Sequence, residues 1–236
     1  MSRYLLKFSK QGGIRFISHL DLLRVFQRTF RRSGLNLAYS NGFNPHAKIG
    51  FAMPLSLGFE SRGEYLEFET ELDYDPQDTV NRLNAAAPPG IQILNCRKLR
   101  ETGKTAAAAA LRYAEYTAEY RGEKQEIRQI ITEAVGPFLS QESIVSVKYS
   151  KKKKKNVESE IRPNIHSLSV INEKKFLLTM MLGAGNAGSL NPQVLMKEFF
   201  NFCSLDYEDS DWLYTRKEMY LTDQKNHIRP LMEFSG

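Results

Sequence analysis

The side chains best suited to chemistry crowd into one stretch of the sequence, residues 15–62. It holds two of the four histidines, His19 and His46, together with Lys48, Arg15, Arg24, Arg28, Arg31 and Arg32. An imidazole can move a proton near neutral pH, and a nearby ammonium can stabilise developing negative charge. His19, His46 and Lys48 are therefore the candidates for catalysis, as an acid/base set acting on RNA. His19 falls in the first turn of an expected helix, where the positive end of the helix dipole disfavours protonation. A neutral imidazole there can act as a base or a metal ligand. No third ligand follows at short spacing, and Glu60 and Glu64 come into reach only through folding, so no metal site is expected. His166 and His227 stand in no pattern.

The same stretch also reads as a binding surface. Arg24, Arg28, Arg31 and Arg32 share one helical face, opposite an apolar stripe of Leu22, Phe26 and Phe30. Like charges at this spacing are mildly destabilising alone, and a bound anion relieves them. The following segment, Tyr39-Ser40-Asn41-Gly42-Phe43-Asn44-Pro45-His46-Ala47-Lys48, mixes rings, amides and cations in a turn-prone loop. Rings beside cations suit stacked nucleobases. Binding is expected of Arg15, His19, Arg24, Arg28 and Arg31 on the helix side, and of Tyr39, Asn41, Phe43, Asn44, His46 and Lys48 on the loop side.

Charge points the same way. The 236-residue chain has a net charge of +6, but residues 1–50 carry nine Lys and Arg against a single acid, Asp21. Residues 51–103 carry five basic and nine acidic side chains. A one-sided positive field suits a polyanion such as RNA, or an acidic protein partner. The two cysteines, Cys96 and Cys203, form no CxxC or CxxxCxxC pattern. They exclude a metal or iron–sulfur site built from cysteine alone, and they argue against a disulfide framework. The chain shows neither a signal-peptide pattern nor an apolar run long enough to span a bilayer, so a cytoplasmic location away from membranes is expected.

These residues need a scaffold. Alternation predicts a strand at 4–8, and Ser18 opens a helix that Gly34 ends. Strands are expected at 35–39 and 64–72, a helix from Asp75-Pro76, and a strand at 91–94. An alanine-rich connector covers 102–110. Beyond it come strands at 112–120, 144–149, 157–171, 176–182 and 214–221. Helices are expected at 124–139 and from Pro192 through Phe200. The five lysines at 151–155 read as a hairpin tip. The expected fold class is α+β, with two tandem ferredoxin-like (βαββαβ) units of antiparallel sheet, at 1–101 and 111–236.

Three strings then carry a resemblance. Phe16-Ile17-Ser18-His19-Leu20-Asp21-Leu22-Leu23-Arg24, the loop from Tyr39 to His46, and Pro54-Leu55-Ser56-Leu57-Gly58 resemble the radical-SAM-linked family, a bacterial domain family of unassigned function. Ile161-Arg162-Pro163 and Arg216-Lys217-Glu218-Met219-Tyr220 are family-like but less specific. The resemblance implies a partner of a radical-SAM protein in an RNA-modification or ribosome-related setting. S-adenosylmethionine and an iron–sulfur cluster would then be held by the partner, with no cofactor in this chain, which lacks a cysteine triad. The expected function is a non-catalytic accessory role, binding RNA or presenting a substrate through the basic N-terminal surface. The alternatives are an RNA-processing or RNA-modifying enzyme using His19 and His46, and a docking module for an acidic partner.

Overall fold

A first strand buried along most of its length sets up the N-terminal half. The computed structural model describes residues 1–100, 106–150 and 154–235. It divides into two compact units, one formed by Met1–Arg112 with Thr215–Gly236, the other by Tyr113–Tyr214. In unit 1, strand β1 (Ser2–Lys10) turns Tyr4, Leu6 and Phe8 inward. Helix α1 (His19–Ser33) lays Leu22, Phe26 and Phe30 on them. Phe8 meets Phe26 edge-on with ring centroids 4.6 Å apart. Strand β2 is Ile49–Phe51 and β3 is Glu60–Thr70; helix α2 (Pro76–Ala86) and strand β4 (Ile91–Lys98) follow. The sheet order is β4-β1-β3, antiparallel throughout, with β2 antiparallel to β3 on its far side. Both helices contribute to one core against this sheet, with Leu83 from α2 and Ile93 from β4.

The second strand is not where alternation placed it. Residues 35–39 do bury Leu35 and Leu37, but their pairing is two isolated bridges, Leu37 with Thr70 of β3 and Tyr39 with Ala47 in the loop. Residues 49–51 take the ladder position on β3 instead. Periodicity reports which side chains are buried, not which backbone is paired.

After a single helical turn, α3 (Ala107–Ala110), the chain enters strand β5 (Leu111–Tyr120). The rest of the alanine-rich connector, 102–105, lies outside the described residues. Unit 2 continues with helix α4 (Ile127–Leu139), strands β6 (Val145–Ser150) and β7 (Lys155–Glu160), strands β8 (Ile165–Asn172) and β9 (Phe176–Gly183), and helix α5 (Pro192–Phe202). Its sheet runs β5-β9-β8, antiparallel, and β6 with β7 forms a separate hairpin. Phe138 of α4 packs on Phe199 of α5 at 4.9 Å. The strand expected at 157–171 is two strands, split by a turn at Arg162–Asn164. Pro163 there has no N–H to give a ladder. Glu160 accepts hydrogen bonds from the Ile144 and Arg162 amides, each 2.9 Å, and from the Ser143 hydroxyl, which together hold its carboxyl below the usual range. Of the lysine run, 151–153 lie outside the described residues; Lys154 and Lys155 are exposed at the hairpin end.

The last strands are β10 (Trp212–Thr222) and β11 (Ile228–Pro230). From Thr215 onward the chain belongs to unit 1, where Thr215 and Arg216 pair in parallel with Glu60 and Ser61. Gly63 permits the approach, since a Cβ there would stand 2.6 Å from the Lys217 carbonyl oxygen. The architecture is mixed α+β, with mostly antiparallel sheet and five helices among the described residues.

Candidate functional site

The basic helix is held by its ends. Ser18 caps α1, its Oγ accepting from the Asp21 amide at 3.1 Å, while its hydroxyl donates to the Asp21 carboxylate at 2.7 Å. Gly34 closes the helix at φ +72, a left-handed conformation that costs glycine nothing. The Ser18 hydroxyl and then the Arg24 guanidinium hold the Asp21 carboxyl below its usual range. A depressed acid stabilises the fold above its unfolded value, about pH 4, and that support is lost as pH falls through the folded value. Ser18→Ala removes the cap and is expected to cost about 1 kcal/mol at neutral pH. The penalty should shrink as pH falls through the folded value, below about 4. Urea unfolding of both proteins across that range checks this.

The arginines divide. Arg24 pairs with Asp21 at 2.8 Å. Arg32 donates to the Ala86 carbonyl at 2.7 Å, tying α1 to the end of α2. Arg28 and Arg31 are exposed, and among the described residues their guanidinium groups meet no partner. The face offered to solvent thus narrows to these two cations.

The loop after the helix folds back on itself. The Ser40 amide donates to the His46 carbonyl at 2.8 Å, and the His46 amide donates to Ser40 Oγ at 3.0 Å. Asn41, Phe43 and Asn44 sit at the exposed tip, with the Phe43 ring fully in solvent. Between this loop and α1 runs an open groove of about 530 Å³. Buried Phe30, Leu35 and Leu37 form its floor; Arg31, Tyr39 and His46 stand along it with Gln27, Asn36 and Glu71.

Other candidates lie elsewhere. Lys48 pairs with Glu69 at 2.7 Å and lines a smaller pocket of about 200 Å³ with Phe51 and Glu67. His19 is exposed and sets its ring edgewise on Phe51, 5.1 Å away. His19 lines neither pocket, and Lys48 lines the smaller pocket while His46 lines the groove. Arg15 lies over the Phe16 ring at 4.7 Å and pairs with Glu60 at 3.4 Å. Glu60 and Glu64, considered above as companions for His19, are both committed to arginines. Among the described residues, no three His, Cys, Asp or Glu side chains converge on a metal-sized site. Burial pushes the Cys96 thiol up to about 12 and raises that of Cys203, so neither is a ready nucleophile.

One cluster was hidden in the sequence. Arg216 Nη1 contacts both carboxylate oxygens of Glu64, at 3.0 and 3.1 Å, and both side chains are almost fully buried. Arg216 Nη2 also donates to the Pro54 carbonyl at 2.9 Å. Buried Lys10 points its ammonium at the Arg15 and Ile17 carbonyls, 3.3 and 3.4 Å away. Burial lowers Lys10 and raises Glu64, and the attraction between them opposes both shifts. This triad pins the backbone of the segments leading into α1 and the loop at 53–58. The Arg216-Lys217-Glu218 string was its one sequence signal.

A cationic helix face and an aromatic loop, set on an antiparallel α+β scaffold, define the class. Residues 3–192 match the family model described as an uncharacterized protein conserved in bacteria, DUF2344, and the chain belongs to that family. No curated protein matches the sequence. Among solved structures, a Cbf5–Nop10–Gar1 complex is similar at a TM-score of 0.45 and 10% identity, over 92% of this chain and 48% of that one. Among the described residues, no helix is long and apolar enough to cross a membrane.

Proposed function

We propose that this protein binds single-stranded RNA through the face formed by α1 and the 39–47 loop, as an accessory to a radical-SAM enzyme. The groove carries the RNA half of this reading. It sets unpaired Arg31 beside Tyr39 and His46, with Arg28 a turn away and Phe43 projecting at the loop tip. Cations suit phosphates, and flat rings stack on splayed bases of any sequence. The separation of His19, His46 and Lys48 favours binding over acid/base catalysis. The radical-SAM half rests on the resemblance of the 16–24, 39–46 and 54–58 strings, two of which border the Lys10–Glu64–Arg216 triad. S-adenosylmethionine and its iron–sulfur cluster belong to the partner in this reading.

The strand order supports a ferredoxin-like description of each half of the sequence. Unit 1 runs β1α1β2β3α2β4 with sheet order β4-β1-β3-β2. The second half runs β5α4β8β9α5β10, with the β6–β7 hairpin as an insertion.

The test is to purify the native protein from its cells and identify what accompanies it. RNA together with a radical-SAM protein is the expected result. A preparation free of nucleic acid, with an acidic protein as the stable companion, would replace this reading with a docking role.

A further inference from the structure

The groove between α1 and the 39–47 loop holds a charge that its surroundings do not explain. Glu71 lies on the groove, exposed, and among the described residues its carboxylate meets no hydrogen-bond or ion partner. Arg31 lines the same groove and is likewise unpaired. Nearby acids of β3 are each taken up, Glu67 by Arg3 and Glu69 by Lys48. A carboxylate and a guanidinium that share a groove without meeting leave space for a ligand that satisfies both.

The walls describe that ligand. The floor of Phe30, Leu35 and Leu37 is apolar, and Tyr39 and His46 offer planar rings. Asn36 and Gln27 add amides. The volume, about 530 Å³, falls within the roughly 300–1,000 Å³ of small-molecule sites. A flat heterocycle on an apolar floor, with an anionic group toward Arg31 and donors toward Glu71, fits this set. A carboxylate accepts only, so it selects a base edge that donates. Guanine alone presents two adjacent donors, N1–H and its 2-amino group, to a carboxylate's two oxygens. Adenine offers a single amino group beside an acceptor nitrogen, which a carboxylate repels.

We infer that the groove is a guanine-selective nucleotide site, with Glu71 reading the base edge and Arg31 holding the adjoining phosphate. This deepens the RNA-binding reading and rests on it. The experiment compares short single-stranded RNAs identical except at one position, carrying guanine, inosine or adenine. The wild type should bind the guanine RNA about tenfold more tightly than the adenine RNA, with inosine between, since inosine keeps N1–H and lacks the amino group. In Glu71→Gln the preference should fall below about twofold, with adenine-RNA affinity little changed. Tyr39→Leu should weaken all three RNAs alike, because stacking is tolerant of sequence. Equal binding of the three RNAs by the wild type, or a preference that survives in Glu71→Gln, overturns the guanine assignment and leaves RNA binding standing. Failure to bind any of them overturns both.

Discussion

Glu64→Ala is expected to destabilise the protein by about 3–5 kcal/mol, the cost of removing one partner from a buried ion pair. Glu64 and Arg216 are each about 2% exposed, and their contact is made from both carboxylate oxygens. Without the carboxylate, the Arg216 guanidinium and the Lys10 ammonium share an interior with no counter-charge. The Coulomb gain is lost and the desolvation cost remains. Replacing both partners with apolar residues, Glu64→Met with Arg216→Met, should recover part of the loss, because the buried guanidinium is gone while Lys10 still lacks its counter-charge. Urea midpoints of the wild type and both variants measure this. Equal stability of Glu64→Ala and wild type would show that water reaches the pair. The two variants also separate roles: the triad holds the carbonyls of Pro54, Arg15 and Ile17, so loss of RNA affinity in Glu64→Ala should accompany loss of order in those segments.

Arg28→Glu combined with Arg31→Glu should lower affinity for single-stranded RNA by about 100-fold near physiological salt, roughly tenfold for each phosphate contact reversed. Both side chains are exposed and unpaired among the described residues, so the fold should be unaffected. Reversal at Arg32 is a poor test, since that guanidinium anchors α1 to the Ala86 carbonyl. Circular dichroism of the double variant should overlay that of the wild type. Arg24→Glu should cost less than either, because Arg24 already shares its charge with Asp21.

Local signals in the sequence predicted local structure well. Ser18 and Gly34 marked the ends of α1 because caps act through the next few residues. Asp75 capped α2 in the same way, accepting from the Asp78 amide at 2.9 Å. Non-local pairing was not legible. The buried alternation of 35–39 looked like a strand, yet the ladder went to 49–51, a choice made by backbone hydrogen bonds that no side-chain pattern records. Glu64 read as a companion that folding could bring to His19, not as the partner of an arginine. Its partner stands 152 residues away, and only the return of the last strand to unit 1 brings the two together. The basic face was visible as helical spacing, and so was the offset of Arg24 by Asp21 three residues before it, but not the loss of Arg32 to the Ala86 carbonyl. The groove was half visible. Arg31, Tyr39 and His46 were singled out in the sequence, whereas Glu71 sat among strand acids with nothing to distinguish it.

The salt dependence of binding to a single-stranded RNA tests the central claim most directly. Each phosphate held by a cation contributes about −0.7 to the slope of log affinity against log salt for single strands. The wild type should show a steep negative slope, and the Arg28→Glu, Arg31→Glu variant a slope shallower by about 1.4, since two contacts are gone. Salt-insensitive binding, or the same slope in both proteins, would mean that the α1 face does not hold the RNA.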